Sequence, residues 1–416
     1  MGWFRHGRPS VTVRWARIVA VFAVLLLTIG LTVSPTAVAS PAAAHPDDAR
    51  LQALLDELVV DGAPGVLALV DDGGPGPAWT GASGQARMDP RVALYVSARF
   101  RVGSITKTMV ATVVLQLVGE GTLRLDDSVE RWLPGLVPNG SAITVRQLLN
   151  HTSGIYDYTD DPAFLTAVLA DPTQIRSPQS LVAAATAHPP LFPPGTSWSY
   201  SNTNYILVGL IIRAATGRSP QSELRDRIFT RLGLHGTSFP VTDRGIAGYH
   251  ADGYLLPGNP FLPTGQPLDV TTLISPSWVW TAGAVISTAA DLAKFYSALF
   301  RGRLLSPALL AQMETTVPVN PVSGYGLGVF STRTVCGTVW GHNGTDLGYT
   351  SVALNTRDGR RNMVLMISTI PDAQTQPLLN LAQSTAICQM LGQDITDQAP
   401  AITGIPQLAT APSLLS

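Results

Sequence analysis

Ser104 and Lys107 lie three residues apart, and their side chains can act as a nucleophile and its base. Lys107 is one of only two lysines in a chain that otherwise takes its positive charge from arginine. A buried amine can lose its proton, whereas a guanidinium stays charged, so Lys107 suits proton transfer. An apolar run from Met109 to Val118, closed by Gly121, predicts a buried helix with both side chains on one face of its first turn. The pattern therefore indicates a serine nucleophile beside a lysine base. The alternative is a helix-capping serine followed by an exposed lysine.

Two further groups of polar residues fit such a site. Tyr200 and Asn202 follow a turn-rich segment and precede an apolar helix predicted over 206–215. A tyrosine exchanges a proton when a nearby cation lowers its pKa, and an asparagine amide can orient both the lysine and a substrate carbonyl. His342 begins a His-Asn-Gly sequence at the end of a predicted strand, where a small residue permits close approach. Taken alone, these residues also fit an ordinary turn and a core or surface histidine.

The elements that position these residues are predicted in the order sheet, helices, sheet. The pattern of apolar and turn residues predicts strands over 65–70, 79–85, 325–330, 334–341, 349–355 and 362–369, and a last helix over 376–391. Thr144 and Gln147 form a capping box for a short helix in the mainly helical part, about 111–309. Because neighbouring elements usually pack together, we predict one α+β domain over 40–392. Its N-terminal (about 50–110) and C-terminal (about 310–392) strands form an antiparallel sheet flanked by the last helix.

Both ends of the chain have distinct compositions. Residues 1–39 contain four arginines, an uncharged apolar stretch over 18–33 and an Ala-Val-Ala sequence, the layout of a secretory signal peptide. The apolar stretch is short for a bilayer span, so we predict a secreted chain without a stable membrane anchor. Removing the four arginines changes the formal net charge from −1 to −5, which argues against nucleic acid as a partner. Residues 393–416 are predicted to be a disordered tail.

The chain has two cysteines, Cys336 and Cys388. In an exported protein such a pair is most simply one disulfide, which would close a loop of about 53 residues and contribute about 4 kcal/mol on the chain-entropy model. The alternatives are two buried free thiols or redox chemistry. The spacing does not fit a zinc site, and we predict neither a metal nor a cofactor.

Together, Ser-x-x-Lys at 104–107, Tyr-x-Asn at 200–202 and His-x-Gly at 342–344 resemble the three-part signature of penicillin-recognising serine enzymes. Other stretches, among them 100–104 and 151–158, are similar to the secreted D-alanyl-D-alanine carboxypeptidases of Streptomyces type. The resemblance covers about residues 50 to 390 and implies a β-lactamase/DD-peptidase-like fold. Those relatives also have cysteines at corresponding places, which agrees with the disulfide.

The resemblance implies an acyl-enzyme mechanism. Ser104 would attack a peptide carbonyl, and Lys107 and Tyr200 would move its proton to the leaving amine. Asn202 would position the lysine and the substrate. Backbone N–H groups of Ser104 and Thr345 would hold the oxyanion, and loss of one such donor typically costs ~3 kcal/mol.

Three further residues are assigned to substrate binding by the same resemblance. Trp278 would cover the substrate, while His342, where a lysine is more usual, would be a partner of the site tyrosine. The relatives bind the substrate carboxylate with an arginine shortly after Gly-Leu-Gly, but residues 329–332 here are Val-Phe-Ser-Thr, and Arg333 follows them. Asn343 replaces a usual threonine beside the same position.

The function predicted from the sequence is that of a monomeric serine D-alanyl-D-alanine carboxypeptidase. It would act on peptidoglycan stem peptides and be acylated by β-lactams. The alternatives on the same scaffold are an esterase, a D-aminopeptidase or amidase, and a class C β-lactamase. A non-catalytic penicillin or muropeptide binder is the alternative from another class.

Overall fold

The computed structural model describes residues 46–259, 262 and 264–393, and within them the chain has the predicted α+β fold. Nine strands make one antiparallel sheet in the order β3-β2-β1-β13-β12-β11-β10-β9-β8. The strands are β1 Gly65–Asp71, β2 Trp79–Met88, β3 Arg91–Ala93, β4 Phe100–Arg101, β5 Tyr254–Leu255, β6 Leu268–Asp269, β7 Ile286–Ser287, β8 Val317–Asn320, β9 Ser323–Tyr325, β10 Phe330–Thr334, β11 Gly337–Asp346, β12 Tyr349–Asn355 and β13 Asn362–Ile367. Strands β4 and β7 form a separate pair, as do β5 and β6.

Helices cover both faces of this sheet. They are α1 Pro46–Val60, α2 Thr106–Gly119, α3 Val129–Trp132, α4 Val145–Leu149, α5 Pro162–Ala170, α6 Pro178–Thr186, α7 Asn202–Thr216, α8 Pro220–Leu224, α9 Thr230–Leu232, α10 Trp280–Gly283, α11 Ala289–Phe300, α12 Pro307–Met313 and α13 Gln376–Leu391. Short 3-10 turns occupy Gly103–Ile105, Gly140–Ala142, Tyr158–Asp160 and Pro276–Trp278, and a π-helical turn at Arg225–Phe229 joins α8 to α9. Apolar residues of α1 and α13 pack on one face, and α11 packs on the other, where α2 and α7 belong to the same apolar core.

The two ends of the domain meet at the centre of the sheet, as predicted. Strand β1 lies between β2 and β13, and Val66 is paired with Ile367. The capping box of Thr144 and Gln147 is present at the start of α4. A disulfide joins Cys336, in the turn between β10 and β11, to Cys388 of α13. These observations confirm the fold class and the pairing of the cysteines.

Two strand predictions near the site were wrong. The strand predicted over 325–330 is two strands, because Gly326 N donates to Val329 O in a turn where Gly328 has φ +80°, a conformation that favours glycine. The strand predicted to end at Gly341 continues to Asp346, because its last five residues pair with the start of β12. The His-x-Gly motif therefore lies within β11 rather than beyond its end.

No helix among the described residues is long and apolar enough to cross a membrane. The predicted signal peptide lies outside the described residues, and so does the predicted tail apart from Gln393.

Candidate active site

Ser104 lies in the 3-10 turn that leads directly into α2, and Lys107 is the second residue of that helix. Their side chains meet: Lys107 Nζ donates to Ser104 Oγ at 2.8 Å. Lys107 is fully buried, and Ser104 makes no capping hydrogen bond to the helix start. The alternative of a capping serine and an exposed lysine is therefore wrong.

The Lys107 amine has three oxygen neighbours. Besides Ser104 Oγ, it contacts Asn202 Oδ1 at 2.7 Å and the carbonyl of Ala282 at 2.8 Å. Burial lowers the pKa of Lys107 to about 7, although the Asp157 carboxylate acts in the opposite direction. A neutral amine has two N–H groups and one lone pair. Because amide and carbonyl oxygens only accept, the lone pair of neutral Lys107 is directed at Ser104, whose hydroxyl can then donate its proton to it.

Asp157 fixes the orientation of the Asn202 amide. Asn202 donates to Asp157 Oδ2 from both its backbone N, at 2.9 Å, and Nδ2, at 3.0 Å. Since a carboxylate accepts only, Nδ2 faces Asp157 and Oδ1 faces Lys107. Burial raises the pKa of Asp157, while hydrogen bonds from Asn202 and Thr159 lower it. Asp157 lies within the 151–158 stretch of the resemblance, but its local sequence does not indicate this role.

Tyr200 completes the proton-carrying group. Its ring centroid lies 4.8 Å from Lys107 Nζ. Burial raises the pKa of Tyr200 well above 10, and the nearby Ser104 hydroxyl only partly opposes this, so the resting phenol is neutral. Desolvation therefore dominates the pKa of Tyr200, and the lowered pKa that would let a tyrosine give up its proton at rest is absent. Among the described residues, Ser104 is the polar neighbour that acts on the buried Tyr200 hydroxyl, and no group holds this hydroxyl in a geometrically complete hydrogen bond.

His342 is buried, and its hydrogen bonds differ from those predicted. Nδ1 lies 2.5 Å from Asn343 O, and Nε2 lies 3.0 Å from the Tyr325 hydroxyl. Because a carbonyl only accepts, Nδ1 carries the proton and Nε2 accepts from Tyr325. Burial, reinforced by Lys107, lowers the pKa of His342 to about 3, so the imidazole is neutral. The rings of His342 and Tyr200 are 6.5 Å apart, so of the electrostatic or hydrogen-bonding partnership expected between them the hydrogen bond is made by Tyr325 instead.

His151 is a further buried residue of this region that sequence reasoning did not single out. Its ring centroid lies 4.3 Å from that of Tyr200 and 4.7 Å from that of Tyr325. Its Nδ1 accepts from the backbone N–H of Ser201, which fixes the proton on Nε2. Burial lowers the pKa of His151 well below 6.5, and the charge of Lys107 adds to this. The imidazole is thus a neutral packing partner of the site tyrosine.

The amides of Ser104 and Thr345 are brought together by two glycines. A Cβ on Gly103 would lie 2.7 Å from Thr345 N, and one on Gly344 would lie 2.8 Å from Ser104 N and 2.0 Å from Val102 O. Gly103 also has φ +51°. Only residues without a Cβ permit the 3-10 turn and β11 to approach so closely. Two backbone N–H groups therefore lie beside the nucleophile, the arrangement that an oxyanion hole requires.

Trp278 and Asn343 lie on elements that border this group. Trp278 is half-buried in the 3-10 turn before α10, and its carbonyl accepts from the Tyr158 hydroxyl at 2.7 Å. Asn343 is half-buried on β11 and is paired with Val352 of β12.

Arg333 is not brought among these residues. Its exposed side chain donates from Nη2 to Pro321 O at 2.8 Å, and its backbone pairs with Thr338 in the β10–β11 hairpin. Phe330 is the β10 residue that reaches the site, with its ring 5.1 Å from that of His342. An apolar ring thus lies beside the His-x-Gly motif.

Among the described residues, no group of three histidine, cysteine or acidic side chains is close enough together to hold a metal ion. What the site contains is a serine beside a titratable amine, a neutral phenol and a pair of amides, which is the equipment for acyl transfer.

Comparison with known proteins agrees with this chemistry. The beta-lactamase family model matches residues 51–383, so the chain belongs to this family of penicillin-recognising serine hydrolases. A solved structure of a D-stereospecific amidohydrolase from Streptomyces sp. is 41% identical, has a TM-score of 0.73, and matches over 81% of this chain and 98% of that chain. The D-amino acid amidase from Ochrobactrum anthropi SV3 is 27% identical, with a TM-score of 0.72 and coverage of 83% and 99%. Penicillin-binding protein 4 from Amycolatopsis lactamdurans is 33% identical over 275 residues, 63% of this chain and 66% of that protein. The chain thus spans about two thirds of the length of that curated relative.

Proposed function

We propose that the protein hydrolyses amide bonds that follow a D-amino acid residue, through an acyl-enzyme on Ser104. The observation that carries the proposal is the contact of Ser104 Oγ with a buried Lys107 amine whose pKa is about 7. A general base is most effective when its pKa lies near the operating pH.

Each step of the reaction has a residue to perform it. Neutral Lys107 takes the Ser104 proton as Oγ bonds to the substrate carbonyl carbon, and the oxyanion that forms accepts from the amides of Ser104 and Thr345. The carbon–nitrogen bond then breaks, and the leaving amine takes a proton supplied by Tyr200, which recovers one from Lys107. Water hydrolyses the ester by the reverse route and releases the acid. Asn202 keeps Lys107 in place throughout.

The preferred substrate is an amide or peptide without a carboxylate next to the cleaved bond. Phe330 and neutral His342 offer no positive charge there, and Arg333 is engaged with Pro321. The similarity to a D-stereospecific amidohydrolase and a D-amino acid amidase supports the same choice.

The D-alanyl-D-alanine carboxypeptidase predicted from the sequence is the second candidate. It is favoured by the similarity to a penicillin-binding protein and by the penicillin-recognising signature. In either case we propose an exported, monomeric enzyme that β-lactams acylate at Ser104, with peptidoglycan stem peptides as substrates if the second candidate holds.

One set of substrates separates the candidates. The rates to compare are those for a D-Ala-D-Ala peptide, the same peptide amidated at its C-terminus, and D- and L-amino-acid amides, with Ser104→Ala as control. We expect D-amides and the amidated peptide to be cleaved at least as fast as the free acid. A charged hydrogen bond contributes about 1.5–3 kcal/mol, so a carboxypeptidase would prefer the free acid by roughly 10- to 150-fold. If the protein shows neither Ser104-dependent hydrolysis nor labelling by fluorescent penicillin, both candidate functions are ruled out.

A further inference from the structure

Ser351 lies on β12, behind the pair of amides, and is nearly completely buried, with 1% of its surface exposed. It is paired with Gly344 of β11, the residue just before Thr345. Its hydroxyl donates to Val102 O at 3.0 Å and lies 3.4 Å from Gly344 O. One side chain therefore contacts both segments that meet at the nucleophile.

We propose that Ser351 is a positioning residue that sets the geometry of the oxyanion-binding amides of Ser104 and Thr345. This inference rests on the proposed function, because it assumes an oxyanion beside Ser104. Ser351 does not touch the substrate in this proposal and acts only through the backbone of Val102 and Gly344.

The planarity of the peptide bond transmits this contact on the strand side. The carbonyl of Gly344 and the N–H of Thr345 belong to one peptide unit, in which they point in opposite directions. The Ser351 hydroxyl donates its one proton to Val102 O and packs 3.4 Å from Gly344 O, so it limits rotation of this peptide unit and with it the direction of the Thr345 N–H.

On the helix side, the contact stabilises the start of the 3-10 turn. Val102 O accepts from Ile105 N at 3.3 Å as well as from Ser351. The Ser351 hydrogen bond therefore holds the carbonyl that begins the turn carrying Ser104. Because Gly344 has no Cβ, Val102 O can lie directly against the backbone of β11. Loss of the hydroxyl removes the side-chain link between these two segments but leaves the ladder of β12 intact.

The chain contains a matched control in Ser368. It is also fully buried, and its hydroxyl donates at 3.1 Å to Gly65 O, a backbone carbonyl of a distant segment in the same sheet. Ser368→Ala should therefore reproduce the structural cost of Ser351→Ala without touching the segments beside Ser104.

The test compares wild type, Ser351→Ala, Ser351→Cys and Ser368→Ala in three measurements. These are the substrate Kd and acylation rate from single-turnover kinetics, the affinity for an alkylboronic acid, which forms a tetrahedral adduct with the serine, and the thermal midpoint. For Ser351→Ala we expect acylation to slow by about 10-fold and boronate affinity to fall by a similar factor, because misaligned amides stabilise the oxyanion less well. Substrate Kd should change less than twofold. The acylation rate and boronate affinity of Ser351→Cys should lie between those of wild type and Ser351→Ala. Ser368→Ala should lower the thermal midpoint and leave both of these quantities unchanged.

The outcomes separate this inference from the proposed function. If Ser351→Ala keeps its acylation rate and boronate affinity within twofold of Ser368→Ala, Ser351 has no role in positioning the amides. If Ser351→Ala does not fold, the comparison of Ser351→Cys with Ser368→Ala decides in the same way. If wild type itself is neither acylated nor bound by the boronic acid, the proposed function fails first.

Discussion

A buried amine beside a serine can accept its proton only while it is neutral, and burial brings the pKa of Lys107 to about 7. Its three oxygen contacts, at 2.7 and 2.8 Å, leave no room for a larger group. An arginine at this position would remain charged at every accessible pH. The chemistry at the residue scale thus depends on one titratable nitrogen and on the two acceptors that direct its lone pair.

Lys107→Arg should abolish acylation nearly as completely as Lys107→Ala, since both remove the titratable amine. Wild-type acylation should rise with pH through about 7, as Lys107 loses its proton. The measurement is the acylation rate with a D-amino-acid amide between pH 5 and 9. Lys294→Arg is the control, because that other lysine is exposed and donates only to Gly233 O. Wild-type-like turnover by Lys107→Arg would contradict the assigned role.

Asp157→Asn should move that pH dependence to lower pH. The Asp157 charge raises the pKa of Lys107, so its removal lets burial lower this pKa further. The rate at the plateau should also fall by about 10-fold, because an asparagine has one acceptor oxygen in place of two and cannot accept from both Asn202 and Thr159. Asp161→Asn, which alters a nearby helix cap instead, should leave the profile unchanged. An unmoved or upward-shifted profile in Asp157→Asn would show that its charge does not act on Lys107.

At the scale of elements, the site depends on how closely the 3-10 turn before α2 approaches β11. The two segments come from opposite ends of the domain and meet backbone to backbone at Gly103 and Gly344. This close approach is possible because neither position carries a side chain.

Gly103→Ala should lower kcat/KM by at least about 100-fold, the typical effect of losing an oxyanion donor. Its Cβ would lie 2.6 to 2.8 Å from the backbone of Thr345 and would push the two amides apart. Gly121→Ala is the matched control, because Gly121 also has a positive φ, +73°, but has nothing within 4 Å of its Cβ position. The control should lose about 1–2 kcal/mol of stability and keep its kinetics. Equal kcat/KM losses in the two variants would show that backbone strain, and not the approach of the amides, is responsible.

The sequence predicted those parts of the site that depend on local spacing. Ser104 and Lys107 are neighbours because residues three apart share a helix face. The bond from His342 to Tyr325 could not be predicted in this way, because it joins β11 to β9 across the intervening β10. Asp157 was missed for a similar reason: its contact with Asn202 spans 45 residues and exists only once the loop packs on the start of α7.

At the scale of the whole molecule, one covalent link joins the β10–β11 hairpin to α13 on the far face of the sheet. Replacing both Cys336 and Cys388 with serine should lower the free energy of unfolding by about 4 kcal/mol, the chain-entropy value for a loop of this size. Activity at 25 °C should be kept, because the catalytic contacts involve other residues. Denaturant unfolding with matched kinetic assays measures both. A double variant as stable as wild type would mean that the disulfide does not limit unfolding.

The central pairing of β1 with β13 also determines when the enzyme becomes active. Val66 and Ile367 are partners in the sheet although nearly the whole domain lies between them in the chain. Contacts between such distant segments form late in folding, because a long loop must close first. Ser104 precedes the mainly helical part of the chain and Thr345 follows it, so the two amides can meet only when the last strands have docked. We therefore expect folding intermediates to be catalytically inert, with hydrolytic activity appearing in a single late kinetic phase together with closure of the sheet.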